Sequence, residues 1–183
     1  ALERYVKTPL GISDMAYGPI DPALAVPTCY GNQIEQRMCA QRGLSFDGWR
    51  PNGVEVRGTC NDGNAFYYWN GASGHAGIFA TADALSALGQ FYLSTDRPWC
   101  LRAMETCVEE RGLGFDRCDV FPDGCGHNGF TGTSLWISRA HHIGAVILTN
   151  KFYRMEGEPP GSSNDFRRAV HYALLGRTPP VPV

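Results

Sequence analysis

Gly126-His127-Asn128-Gly129-Phe130-Thr131-Gly132-Thr133-Ser134-Leu135-Trp136-Ile137 joins a His-x-Gly triplet to a run of glycine-spaced, β-branched and aromatic residues. Residues 126–130 and 133–139 read as two short strands, broken by Gly132. Ala140-His141-His142 then turns the chain into a third strand over 143–151. Connections this short make the three antiparallel neighbours. The run Ala145-Val146-Ile147-Leu148 predicts that the third strand is buried on both faces. So apolar a strand at an open edge would template aggregation unless another strand covers it. Physical reasoning alone therefore predicts further strands supplied from elsewhere.

Away from these strands the period lengthens from two to nearly four. Residues 81–94 predict a helix. Thr81 can cap it, Asp83 suits its positive end, and Leu85, Leu88 and Phe91/Tyr92 form one apolar stripe. Residues 98–111 predict a second helix, with Pro98 in its first turn, Leu101, Met104 and Val108 on one face, and Gly112 as its stop. A Pro/Gly/Glu loop over 156–161 leads to a last helix, 164–175. Ser163 caps it, Phe166, Val170, Ala173 and Leu174 stripe it, and Gly176 ends it. Residues 17–65 are rich in Gly, Pro, Asn and Asp with weak periodicity, and are expected to form long ordered loop with short helical turns. The start, Ala1-Leu2-Glu3-Arg4-Tyr5, reads as a helix end stopped by Pro9 and Gly11, as expected of a processed or split segment. The class is α+β: an antiparallel sheet flanked by helices.

Composition excludes more than it selects. The chain has 183 residues, 43% hydrophobic and 19% charged, which suits an ordinary folded domain. A net charge of −2 gives no basic footprint for nucleic acid. No apolar run approaches the roughly 18 residues of a membrane span. Seven cysteines (29, 39, 60, 100, 107, 118 and 125) cannot all pair internally. Cys118 with Cys125, or Cys29 with Cys39, could close short loops. The plainer expectation is buried free thiols in a reducing intracellular or organellar compartment. No Cys-x-x-Cys pair offers a zinc knuckle, and neither metal nor cofactor is expected.

Several segments, taken in order, resemble the β-lactamase-related serine hydrolases: class C β-lactamases, DD-peptidases and esterases. They are Pro9-Leu10-Gly11-Ile12-Ser13-Asp14-Met15, Asn61-Asp62-Gly63-Asn64-Ala65, Gly74-His75-Ala76-Gly77-Ile78-Phe79-Ala80-Thr81-Ala82-Asp83, Arg111-Gly112-Leu113-Gly114-Phe115, the opening stretch, and Val146-Ile147-Leu148-Thr149-Asn150. The resemblance covers most of the chain to about residue 175 and matches the C-terminal part of that family. It implies a β-lactamase/transpeptidase-like sheet present in part, as three C-terminal strands plus the C-terminal helix. In that family a Ser-x-x-Lys motif supplies nucleophile and activating lysine, a Tyr-x-Asn or Ser-x-Asn loop a second proton-transfer group, and a Lys/His-Thr/Ser-Gly triplet faces them.

His127-Asn128-Gly129 matches the third element, with Asn128 where Thr or Ser is usual. The resemblance implies substrate binding by His127, Asn128, Gly129 and Phe130. His127 would add polar or cationic character, Gly129 would let the substrate backbone approach, and the Phe130 N–H would form half of an oxyanion hole. A strand-edge histidine with no ligand is the plain reading of His127. The only lysines, Lys7 and Lys151, follow Arg4 and Leu148 at the three-residue spacing, so no Ser-x-x-Lys exists and no catalytic residue is expected in this chain. Tyr30-Gly31-Asn32 and Tyr68-Trp69-Asn70 fit Tyr-x-Asn but lie out of order. His75 is expected to bond a backbone carbonyl, and His141-His142 to face solvent. Phe66-Tyr67-Tyr68-Trp69 is either a cleft wall or packing, and Trp136 is expected in the core.

The whole of 1–183 is thus expected to be the C-terminal portion of one domain. Residues 1–120 would be loop-rich and helical, 121–152 three antiparallel strands, 163–176 the last helix and 177–183 a tail. Its function is expected to be acyl-serine ester or amide hydrolysis, completed by an N-terminal segment or another subunit as partner. The alternative is a catalytically inactive structural or interaction subunit of a larger complex.

Overall fold

The computed structural model describes residues 1–105, 108–153 and 161–180. A π-helical turn, Glu3–Lys7, runs into α1 (Thr8–Leu10); β1 (Met15–Tyr17), a 3-10 turn (Pro22–Leu24) and β2 (Cys29–Tyr30) follow. Next come α2 (Gln33–Gln41), β3 (Glu55–Val56), α3 (Gly63–Tyr68) and β4 (Ile78–Ala80). Helices α4 (Ala82–Ser94) and α5 (Pro98–Met104) precede β5 (Cys125–Asn128), β6 (Ser134–Ser138) and β7 (Ile143–Ile147), and α6 (Ser163–Leu174) closes the series. Among the described residues no helix is long and apolar enough to cross a membrane. The elements fall into two compact units: Ala1–Ser13, Thr81–Thr149 and Gly161–Val183 form one, Asp14–Ala80 and Asn150–Pro160 the other.

The first unit is built on an antiparallel sheet in the order β5-β6-β7, with Gly126 opposite Trp136 and Trp136 opposite Ala145. Alternation along β6 sends its side chains to opposite faces. Ile137 joins Met104, Phe115 and Cys125 in one buried cluster with Tyr92, Leu93 and Leu101 around it. Trp136, fully buried, joins Val120 and Phe121 on the other, beside Leu175. Helix α4 packs on β6 and β7. Thr81 Oγ1 accepts the Ala84 N–H at 3.2 Å and caps it as predicted. Glycine inside a helix costs about 1 kcal/mol against alanine. Gly89 offsets this by close packing, since a Cβ there would stand 3.3 Å from Leu135 Cδ1. Arg139 closes the other end of α4, donating to the carbonyls of Tyr92 and Thr95, each at 2.8 Å.

The second unit pairs β1 with β4 and β2 with β3, both antiparallel. Its buried side chains are mostly apolar (Met15, Ala25, Val56, Cys60 and Ala65), with one polar network among them. Asn32 is 3% exposed; its Oδ1 accepts from Tyr67 Oη at 2.8 Å, and its Nδ2 donates to the Glu35 carboxylate and to Asn61 O. The Arg50 guanidinium lies 3.5 Å above the Phe66 ring.

The predicted α+β class stands, with an antiparallel sheet and helices, while several local expectations are corrected. Residues 17–65 contain a nine-residue helix, α2, and the strands β2 and β3. Turn-rich composition hid them because these strands are two residues long. The helix from Pro98 stops at Met104 rather than 111, as Leu113 N–H and the Arg117 guanidinium reach back to Ala103 O and Met104 O and satisfy its last carbonyls. Gly112 fits there because a Cβ would meet Ala103 O at 2.3 Å. Pro9 does not stop the first helix, which runs on to Leu10 and ends at Gly11 in the left-handed region, φ 65°.

The third strand ends at Ile147 and is not buried on both faces, since Leu148 is 44% exposed and only Ile147 in the strand is buried. The apolar stripe of α6 is also rotated. Phe166 and Leu174 face solvent, and the inward positions are Arg167 and His171. Cys29, Cys39, Cys60, Cys100, Cys118 and Cys125 are free thiols, so neither suggested loop is closed. Cys107, residues 156–160 of the predicted loop and residues 181–183 of the tail lie outside the described residues.

Candidate functional site

The His127-Asn128-Gly129 triplet forms the end of β5 and the turn beyond it. Strand pairing alternates between residues that bond the partner strand and residues that point their backbone groups away. Gly129 N–H donates to Thr133 O at 2.7 Å, so 129 and 127 face β6. Gly126 and Asn128 therefore point outward. Gly126 meets Asp116 there, exchanging bonds of 2.7 and 2.8 Å with it. Two residues on, Asn128 presents its own N–H and C=O to the same outer side, an edge along which another extended backbone can lie.

His127 is exposed, and its Nδ1 stands 3.0 Å from Asn128 O. A carbonyl only accepts, so Nδ1 carries the proton and Nε2 is the acceptor of the neutral ring. Asn128 Oδ1 is buried with no hydrogen-bond partner among the described residues, and Nδ2 reaches Asn164 Oδ1 only at 3.5 Å. Phe130, 55% exposed, tops the turn. The turn is held from below: Gly132 N–H bonds Gly129 O at 3.1 Å, and Thr149 Oγ1 donates to Gly132 O at 2.8 Å. Gly132 has φ 129° and a Cβ there would meet Thr149 Oγ1 at 2.7 Å, so only glycine fits. Gly129 is required for a different reason. A Cβ on it would lie 2.0 Å from Thr133 Oγ1.

Sequence reasoning missed the residues that brace this turn. Arg167 of α6 is 2% exposed. Its guanidinium donates to Thr133 O at 2.8 Å, Gly129 O at 3.2 Å and Asn164 Oδ1 at 2.9 Å, and no carboxylate pairs with it among the described residues. Burial pulls its pKa down from the usual arginine range. One turn on, His171 is fully buried, its Nδ1 donating to Val120 O at 2.7 Å and its ring stacked 4.8 Å from Trp136. Desolvation lowers its pKa, so the ring stays neutral. The available signal was the Arg167/His171 spacing of four, one side of a helix.

His141 is in the β6–β7 turn, as expected, and contacts Asp123 Oδ2 at 2.9 Å. Among the described residues His75 bonds no backbone carbonyl; its ring meets Ser73 and Asp62 instead. Of the Tyr-x-Asn matches, Asn32 is buried in a hydrogen-bonded network of the second unit, and Tyr68 is 80% exposed. Phe66 and Tyr67 pack edge to face, whereas Tyr68 and Trp69 are exposed. No three His, Cys, Asp or Glu side chains converge as a metal site among the described residues.

Comparison with known proteins places the chain among relatives of one kind. The family model for Beta-lactamase matches residues 1–168. Proteins named D-alanyl-D-alanine carboxypeptidase from Salmonella paratyphi B and Salmonella newport are each 27% identical over 90% of this chain, and one from Salmonella enteritidis is 26% identical over 90%. The chain spans 44% of the length of these relatives. No solved structure gives a significant match.

Proposed function

This chain belongs to the β-lactamase family, and from that premise we propose that it forms the substrate-side wall of a serine acyl-transfer site whose nucleophile lies on polypeptide outside these residues. The carrying observation is the outward edge of β5 at Asn128, with the His127 ring beside it and the braced Phe130 turn beyond. In this reading an amide or ester substrate lays its backbone along that edge. His127 and Asn128 orient it, Gly129 and the Phe130 N–H meet the carbonyl oxygen as it gains charge, and a serine hydroxyl attacks from the facing wall. Water then hydrolyses the acyl-serine. The acyl-D-alanyl-D-alanine peptides implied by the relatives' name are the first substrates to test.

Two features support a companion segment. Strand β7 is the last strand of its sheet, and a groove of about 380 Å³ is lined by Gly89, Gln90 and Leu93 of α4, Leu135 of β6 and Gly144–Val146 of β7. The apolar residues Phe166 and Leu174 of α6 are about half exposed. An added strand and helix would cover both. The test is to isolate the protein with everything that copurifies, treat it with a labelled penicillin, and map the adduct by mass spectrometry. An adduct on a serine of a Ser-x-x-Lys sequence, lost in His127→Ala and Phe130→Pro variants, supports the reading. A protein that stays unlabelled while folded overturns it and favours a non-catalytic interaction subunit.

A further inference from the structure

The second unit carries a hydrogen-bonded chain of three side chains unrelated to the triplet. Ser73 Oγ lies 2.9 Å from His75 Nδ1, and His75 Nε2 lies 3.2 Å from Asp62 Oδ1. The loop that holds them is closed at its base. A Cβ at Gly77, φ 108°, would stand 2.3 Å from Gly71 O, so the two glycines cross in near contact. Gly71 N–H bonds Ala65 O at 2.8 Å, and Ser73 N–H bonds Ala76 O at 2.9 Å, fastening the loop to α3 and to itself. Asp62 is fixed in turn, because its Oδ1 also accepts the Ala65 N–H at 2.7 Å.

The proton positions follow from what each group can do. A carboxylate only accepts, so Nε2 of the neutral ring carries the proton and Nδ1 holds a lone pair. The Ser73 hydroxyl then donates to Nδ1; its other acceptor, Ala76 O, is farther at 3.4 Å. This is the wiring of a serine activated by a histidine base that a carboxylate orients, with the two ring nitrogens exchanged relative to the familiar proteases. Ser73 is half-buried on an open loop. The His75 side chain is 58% exposed, and a Cβ at Gly74 would meet nothing within 4 Å, which leaves room for an acyl group beside Ser73. Tyr68 and Trp69, exposed and in edge contact at 5.1 Å, immediately precede the loop, and Trp69 O accepts the Ala72 N–H.

We propose that Ser73, His75 and Asp62 form a second, self-contained nucleophilic site that acylates on Ser73 with small aryl esters and phosphonylating reagents. Ser73 Oγ attacks the ester carbonyl and forms the new C–O bond while its proton passes to His75 Nδ1. The tetrahedral intermediate expels the aryl oxide, which takes that proton. Water, deprotonated by the same nitrogen, then attacks the acyl-serine; the C–Oγ bond breaks, Ser73 Oγ takes the proton back from His75 Nδ1, and the carboxylic acid leaves. Activated leaving groups are the matching class, because an exposed loop offers attack by a base-assisted oxygen rather than an enclosed pocket.

The test is to treat the native protein with a fluorophosphonate and locate the adduct by peptide mass spectrometry. Ser73 is the expected site. His75→Gln should slow its labelling about 100-fold, the low end of what a general base contributes, with an unchanged circular dichroism spectrum, and Asp62→Asn should fall between. Release of p-nitrophenol from p-nitrophenyl acetate should lose a Ser73→Ala-sensitive component. Labelling confined to other serines, or Ser73 labelling equal in wild type and His75→Gln, overturns the proposal. An adduct on a Ser-x-x-Lys serine alone does so while upholding the family reading, so the two fail separately.

Discussion

Gly129→Ala asks why the triplet ends in glycine. Its backbone is not in the left-handed region, so alanine meets no conformational barrier. The obstacle is Thr133, whose Oγ1 would stand 2.0 Å from the new Cβ, while the next nearest atoms, Thr133 Cβ and O, are at 3.4 and 3.5 Å. Comfortable non-bonded separations are about 3.5 Å. Thr133 must therefore turn its side chain or shift the turn, at a cost of about 1–2 kcal/mol. In a Thr133→Ala background the offending atom is gone and the rest are ordinary contacts. There the substitution should be neutral, or stabilising by about 0.5 kcal/mol through a less flexible unfolded chain. Urea denaturation of the four proteins of the cycle, followed by tryptophan fluorescence, should give a coupling of at least about 1 kcal/mol. Equal costs in both backgrounds, within about 0.5 kcal/mol, would refute the packing argument. The double variant also separates packing from substrate approach: if it is stable yet takes no penicillin label, the bare glycine serves the ligand as well.

Arg167→Met should lower stability by about 1.5–3 kcal/mol, because Gly129 O, Thr133 O and Asn164 Oδ1 each lose a charged donor while the two carbonyls keep their backbone partners, Gly132 N–H and Gly129 N–H; Arg167→Lys should recover part of this in the same denaturation experiment. Trp136→Ala, at a fully buried position, should cost about 3–5 kcal/mol and broaden or abolish the unfolding transition. Burial pushes the Cys125 thiol up to about 11 from an ordinary 9.0. Its contribution is therefore full below pH 9 and is lost as pH rises from 9 towards 11, when only the unfolded chain ionises. Stability measured at pH 8 and pH 10 should fall by about 1 kcal/mol less in Cys125→Ala than in wild type.

The parts of this fold legible in sequence are those where one local rule dominates. The strands β5, β6 and β7 show through their period of two and their glycine breaks, and α4 through Thr81 and a half-buried stripe from which Tyr92 packs on the core. What stayed hidden depends on partners distant in sequence. The end of α5 is set by Leu113 and Arg117, not by a local stop. The inward face of α6 was misread because Phe166 and Leu174 look like core, whereas Arg167 finds three acceptors that pattern alone cannot reveal. The triplet was readable by motif, and its outward edge followed only from the pairing of β5 with β6. The Ser73–His75–Asp62 chain was invisible because a loop crossing at Gly71 and Gly77 brings its members together.

The inner side of α6 is polar where an ordinary docking helix is greasy, and that governs how it can seat. Aliphatic side chains tolerate sliding, since any oily neighbour serves nearly as well as another. A guanidinium clasping two specific carbonyls and an imidazole clasping a third do not, because moving the helix by one turn, about 5.4 Å, would leave every one of those donors empty at once. Helix α6 therefore has a single berth on the sheet, and its oily outer side is left over for whatever lies alongside.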